Sequence, residues 1–214
     1  MLSPEIPRQL PLEARDFGMY IGFFSTWAYL FALGRGRTKG MPPWYILLTL
    51  VIFVGIMGLD GINAFLYDLK VLPHLYTPTL QLRLGTGFLT GIAFAGILAP
   101  VINFSLWRAN DQRPIMETRH VVGALLIAAV WFAINESGWG IWLYPLAIIT
   151  SASTPLLIGL INMVFLLSLF RKEGIAENWR GVLNPLAAGV FCALIELGVL
   201  ALMRYAVLGT TVLP

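Results

Sequence analysis

A few polar residues in an otherwise apolar chain have types and spacings that suit ligand chemistry. Asp60 and Asn63 lie three apart in Met57–Asn63. On a helix they share a face with Ala64 and Tyr67. A carboxylate and an amide on one face can hold a polar group in a cavity between helices. The plainer reading is a helix end meeting water, with Asp60 and Gly61 in a turn. Arg83 falls in the first turns of the next apolar segment. Exposed amides at a helix start, together with a guanidinium, suit a phosphate, a carboxylate or a lipid headgroup. The same arginine could equally snorkel to headgroups or pair with Asp60. Tyr20 and Tyr76 are aromatic candidates for the same rim. Gly87, Gly91 and Ala95 recur at four-residue spacing below Arg83, which lets helices approach closely. Asp60, Asn63, Tyr76, Arg83 and Gly87 are therefore the candidate ligand-binding or docking residues.

A second candidate is intramembrane. Glu196 lies near the middle of the last apolar run, and Asn162 at similar depth in the run before it. The two are expected to face each other. Proton or ion handling is one reading. An interhelical hydrogen bond is the favoured one, because the rest of a relay is missing. Cys192 is the only cysteine and sits among apolar residues, so it reads as a packing residue without a disulfide. His74 and His120 fall on opposite sides of the expected membrane and cannot sandwich a haem. No phosphate-binding, zinc-protease, serine-hydrolase or Cys-x-x-Cys motif occurs. No catalytic residue, metal site or cofactor is expected.

The elements that must position these residues follow from composition. The chain has 214 residues, 58% hydrophobic and 12% charged, where a soluble domain carries about 25% charged residues. Lipid is the solvent such a surface fits. The net charge of +3 is spread in short clusters without aromatic interleaving, so no nucleic-acid partner is expected. The first residues, Met1 to Gly18, lack a basic stretch followed by an apolar core and do not read as a signal peptide. Low-complexity segments and an inverted repeat are absent.

Apolar runs of about 17–25 residues can cross a bilayer. Six are expected, at about 17–33, 42–63, 82–106, 121–135, 155–170 and 182–208. Thr77-Pro78 reads as a cap and first helical position for the third. Residues 140–153 form an interfacial or half-inserted segment, ended by a second cap-then-proline signal at Thr154-Pro155. One kinked helix through that proline is the competing reading. The fold class is thus all-α, an integral membrane bundle of six transmembrane helices forming a single domain over residues 1–214.

Orientation follows from basic residues. Arg35, Arg37, Lys39, Arg108, Arg113, Arg119, Arg171, Lys172 and Arg180 fall in alternate loops, nine of 14 Lys and Arg residues. Positive residues accumulate on the cytoplasmic side. Both termini and the Gly58–Gly91 connection are then outside, in a multi-pass protein of the cell membrane.

Four segments carry a resemblance. They are Pro11 to Gly22, Met57 to Asn63, Leu75 to Thr79, and Leu82-Arg83-Leu84 with Thr86-Gly87. Together they resemble a family of small prokaryotic polytopic membrane proteins without an assigned activity. Its members carry Cys-His-Gln, Pro-Leu-Cys-Ala-Arg-Cys-Thr-Gly-Ile-Tyr-x-Gly, Leu-Asp-Gly, and Thr-Pro-Thr-Asn-x-Leu-Arg-Leu-x-Thr-Gly. The resemblance covers about the first half of the chain. Both cysteines of the pair are replaced, by Glu13 and Asp16, and Cys-His-Gln has no counterpart. Any metal or redox chemistry of those cysteines is then lost here. Two carboxylates flanking Arg15 make a poor cation site.

Three readings remain. The first is an accessory or interaction subunit of a larger membrane assembly, with lipid and other membrane subunits as partners. The second is a small carrier or binding protein for an anionic or lipid-like molecule at the outer face. An enzyme using Asp60 or Glu136 as acid or base ranks last, because no nucleophile or metal cluster accompanies those carboxylates.

Overall fold

A computed structural model describes residues 13–69, 75–108, 111–137 and 143–208. Residues 1–12, Lys70, His74 and the start of the 140–153 segment lie outside the described residues. Six helices follow one another: α1 (Ala14–Ala32), α2 (Trp44–Leu69), α3 (Leu80–Leu106), α4 (Thr118–Glu136), α5 (Leu143–Leu169) and α6 (Trp179–Leu208). Two short strands, β1 (Thr38–Gly40) and β2 (Asp111–Pro114), pair in parallel between α1 and α2 and between α3 and α4.

Five helices, α2 to α6, are long and apolar enough to cross a membrane by length and composition. Their exposed faces carry large apolar side chains such as Leu59, Phe65, Leu126, Phe165 and Leu202. In water such faces would be costly, whereas lipid solvates them. α1 is not among the five. It begins with Arg15 and Asp16 and carries Ser25 and Thr26, and its most extensive packing is against α3. A helix shielded by protein tolerates polar residues that a lipid-facing one does not.

α3 is the axis of the bundle. Its most apolar window is 67% buried, against 11% for α6. The contact with α1 is backbone on backbone. A Cβ on Gly22 would come within 2.9 Å of the Phe88 carbonyl oxygen, and one on Gly91 within 2.6 Å of the Phe23 nitrogen. The small-residue spacing on α3 thus meets Gly18 and Gly22 on α1. Phe17, Phe23, Leu30, Leu84, Phe88 and Ile92 fill the space around that crossing.

Three local expectations change. α3 is capped by Thr79, not Thr77. The Thr79 hydroxyl accepts from the Leu82 N–H at 3.3 Å, which leaves Pro78 just before the helix. The helix break expected before Pro155 is not there, because α5 runs unbroken from Leu143 to Leu169. The hydroxyls of Thr150 and Ser153 donate back to the carbonyls of Leu146 and Ile149, both at 2.7 Å, rather than capping a new start. The strands are the third change, since segments of three and four residues carry no periodic pattern. Their pairing needs Ile115 N–H on the Gly40 carbonyl (2.9 Å) and Asn103 Nδ2 on the Thr38 carbonyl (2.8 Å).

The connections gather at two ends. At one, β1 meets β2, and the α5–α6 loop is stapled to the end of α3. Gly174 N–H donates to Ser105 O (2.9 Å), and Arg108 N–H to Ala176 O (3.0 Å). The basic loops named above meet here. At the other end, the start of α1 lies beside the end of α2 and the start of α3.

Arg171, just after α5, has φ +52° and is the one non-glycine residue with positive φ among the described residues. The Arg171 N–H donates to Ser168 O and the Lys172 N–H to Leu167 O, at 3.0 and 2.8 Å, so Arg171 occupies a helix-ending position that glycine prefers. A left-handed conformation costs a residue with a Cβ roughly 1–2 kcal/mol. Arg171→Gly is expected to stabilise the protein by up to about that amount, read as a higher unfolding midpoint. A lower midpoint would contradict this account.

Candidate functional site

Four segments converge on Asp60. It lies on α2 with Asn63 and Ala64, all three buried on the face turned to α3. Asp60 itself is only 2% exposed. From the first turn of α1, Arg15 Nη2 donates to Asp60 Oδ2 at 2.8 Å, forming an ion pair. The Tyr76 hydroxyl, from the α2–α3 connection, donates to Oδ1 at 2.7 Å. The Thr86 hydroxyl on α3 lies 3.4 Å from Oδ2 and also contacts the Arg83 carbonyl at 3.1 Å. A buried carboxylate needs a counter-charge and filled lone pairs, and this one has both.

Asn63, one turn further along α2, acts on the backbone instead. Its Nδ2 donates to the Tyr76 carbonyl (2.9 Å), and its Oδ1 accepts from the N–H groups of Leu75 (2.7 Å) and Tyr76 (3.4 Å). It ties the connection down and so aims the Tyr76 ring at Asp60. Gly87 belongs to the same arrangement. A Cβ there would collide with the Arg15 carbonyl, so glycine is what lets α1 settle on α3 with Arg15 within reach of Asp60.

Arg83 does not pair with Asp60. Its Nη1 donates to Glu13 Oε1 at 2.8 Å, in a pair whose side chains are 23% and 48% exposed. Glu13 and Asp16 thus part company: Glu13 meets Arg83, while Asp16 stands in the first turn of α1. Gln81 Nε2 reaches Glu136 Oε2 at 3.4 Å, joining α3 to the end of α4 at this end of the bundle.

Arg15 and Thr86 are the members that sequence reasoning left out. A signal for Arg15 was there, since a buried aspartate demands a cation and Arg15 is one of the few at this end. Reading it only as a spoiler between Glu13 and Asp16 hid that. Thr86 carried a signal only as the threonine of the Leu-Arg-Leu-x-Thr-Gly resemblance, which does not say that its hydroxyl reaches a carboxylate on another helix.

Asp60's acceptance of the Tyr76 proton, followed by partial burial, holds the Tyr76 phenol above its ordinary value near 10. The sign follows from linkage. A raised value means that the folded state favours the neutral phenol. Its stabilising contribution is complete below about pH 10 and is lost as pH rises through the higher folded value. The phenolate absorbance titration of the wild type minus that of Tyr76→Phe is expected to show a midpoint above the ordinary tyrosine range. A midpoint at or below that range would break the link between Tyr76 and Asp60.

Two further groupings lie elsewhere. Asn162 Nδ2 on α5 donates to Glu196 Oε1 on α6 at 3.1 Å, on an exposed flank. At the basic end, Arg35 Nη2 pairs with Glu117 Oε1 at 2.9 Å, and Arg35 Nη1 donates to the Pro114 carbonyl. Glu117 begins α4 in a reciprocal cap with His120, whose Nδ1 accepts the Glu117 N–H at 3.0 Å. Beside them the Arg37 guanidinium stacks 4.0 Å from the Trp107 ring. None of this grouping was anticipated, because it joins residues from loops some 80 positions apart. Among the described residues, no three His, Cys, Asp or Glu side chains converge in a way that could hold a metal ion.

Residues 7–98 match the family described as "Predicted membrane protein (DUF2085)". The match spans α1, α2 and most of α3, and therefore every residue around Asp60. No curated protein and no solved structure matches the chain. Similarity to a membrane-protein family and a set of long apolar helices agree. The chain is a multi-pass membrane protein with an all-α architecture.

Proposed function

We propose that this chain is an interaction subunit of a larger assembly in the cell membrane, crossing six times with both termini outside. The reading is carried by Glu196. It lies 17 positions after Trp179, about 26 Å along a helix about 45 Å long. Around it Ile195, Val199 and Leu200 are exposed, which is natural only against apolar surroundings. Asn162 satisfies one of its carboxyl oxygens. A carboxyl and an amide on a lipid-facing flank at that depth still carry hydrogen-bonding groups that hydrocarbon cannot satisfy, and ionisable residues inside membranes face protein or water-filled cavities. A neighbouring protein helix covers them.

The residues around Asp60 support this reading over a carrier. Asp60, Asn63, Tyr76 and Arg83 are engaged with other parts of the chain, and together they lock α1, α2, the connection and α3 to one another. They build a rigid platform at the outer face. α1 supplies the sixth crossing, sheltered from lipid along its α3 side. The basic loops lie on the cytoplasmic side, as the distribution of positive charge favours.

The test is the native particle. Membranes solubilised in mild detergent should release this chain in a complex well above its own 23.7 kDa, with protein at fixed stoichiometry. Glu196→Leu should release the neighbour while Asn162→Gln keeps it. A monodisperse single chain with no protein attached would sink the reading.

A further inference from the structure

α5 and α6 touch closely at one level and part at another. Gly159 and Gly189 bring the two backbones together: a Cβ on Gly189 would lie 2.8 Å from the Met163 nitrogen. Toward the α5–α6 loop the helices leave a groove of about 260 Å³. Its walls are apolar, including Leu166, Phe170, Ile175 and Ala188, and its two polar lining residues are Lys172 and Asn184. Lys172 makes no ion pair among the described residues. Nearby, Glu177 is taken by Arg108, while Arg171 and Arg180 add positive charge against Glu173.

We infer that this groove binds one acyl chain of an anionic phospholipid, with the lipid phosphate on Lys172 and the Asn184 amide beside it. The shape argues for a lipid tail over a protein. A helix is about 10–12 Å across and needs far more room, whereas a single hydrocarbon chain needs a narrow apolar slot open to the bilayer. The charge argues for an anionic headgroup over a neutral one. A lysine without an ion pair at the membrane end of a helix favours a phosphate that no headgroup cation offsets, and the other basic loops of this end raise the local positive potential. Arg171 fits the same picture. It places a second cation next to Lys172 in the chain. The inference does not rest on the subunit reading, since the groove lies toward the loop while Glu196 lies further along α6.

The experiment is native mass spectrometry of the full chain in detergent, titrated with dioleoylphosphatidylglycerol or dioleoylphosphatidylcholine. The wild type should retain the anionic lipid roughly fivefold better, the preference one lysine near the surface supplies. Lys172→Gln should remove most of that preference. Ala188→Leu, at an exposed position that the fold tolerates, should lower retention of both by filling the groove. Unchanged helicity by circular dichroism confirms that each variant folds. Equal retention of the two lipids by the wild type would overturn the proposal. So would a Lys172→Gln or Ala188→Leu protein that binds as the wild type does.

Discussion

Replacing Arg15 by methionine is expected to destabilise the protein by about 3–5 kcal/mol, the usual cost of leaving a buried charge without its partner. Methionine keeps most of the length and apolar bulk of the arginine stem, so packing against α3 changes little. What is lost is the ion pair to Asp60, which is almost wholly buried, while the Arg15 side chain is only 19% exposed. Tyr76 and Thr86 would remain as donors to Asp60, but neither carries charge. Adding Asp60→Leu to Arg15→Met should recover much of the loss, because the penalty is the uncompensated carboxylate rather than the missing bond. A double-mutant cycle of unfolding midpoints in detergent measures this coupling. A cost below about 1 kcal/mol for Arg15→Met would mean that Asp60 is solvated and that the cluster does not hold this end of α1, α2 and α3 together.

The second large effect is expected at Gly91. A methyl group there would lie 2.6 Å from the Phe23 nitrogen and 2.8 Å from the Gly22 carbonyl carbon. Both are backbone atoms of α1, so no side-chain rotation relieves the clash. The helices must move apart, and Gly22, which sits against Phe88, moves with them. Gly91→Ala should cost about 1–3 kcal/mol, and Gly91→Leu should abolish the folded bundle. Gly85 is the control. It lies on the same helix, yet nothing comes within 4 Å of a Cβ placed there. Gly85→Ala should be neutral or stabilising by up to about 1 kcal/mol, the gain in helix propensity. Equal behaviour of the two alanine variants would refute the close α1–α3 crossing. Because Arg15 rides on α1, widening that crossing should also weaken the Arg15–Asp60 pair. The two predictions are therefore coupled, and their double variant should fall short of the sum.

Much of the architecture was legible in residue types alone. The long apolar runs at about 42–63, 82–106, 121–135 and 182–208 announce helices, because a backbone in hydrocarbon must satisfy its own polar groups, and α2, α3, α4 and α6 form there. The shared face of Asp60, Asn63 and Ala64 follows from helix periodicity, which local sequence determines. The glycine spacing at Gly87 and Gly91 marked α3 as the helix others approach. Helix ends were read less well. Thr77 and Thr79 offer the same hydroxyl two residues apart, and only the backbone path decides which accepts an N–H. Thr154-Pro155 looked like a new start, yet inside a helix already committed on both sides a proline removes one hydrogen bond without ending it.

What the sequence determines by itself is therefore the additive part: lipid as solvent, helices as elements, and a division of charge between their connecting loops. Each of these sums over neighbours in the chain. Tertiary structure alone decided who meets whom. It matched Asp60 with Arg15 rather than Arg83, handed Arg83 to Glu13, and set Asn63 to holding the backbone of Leu75 and Tyr76. It also paired β1 with β2 and gathered Arg35, Glu117 and His120 at the opposite end. Those choices depend on how close α1 comes to α3 and at what height. A difference of one helical turn, about 5.4 Å, exceeds the reach of a hydrogen bond, so no count of residue types can resolve it.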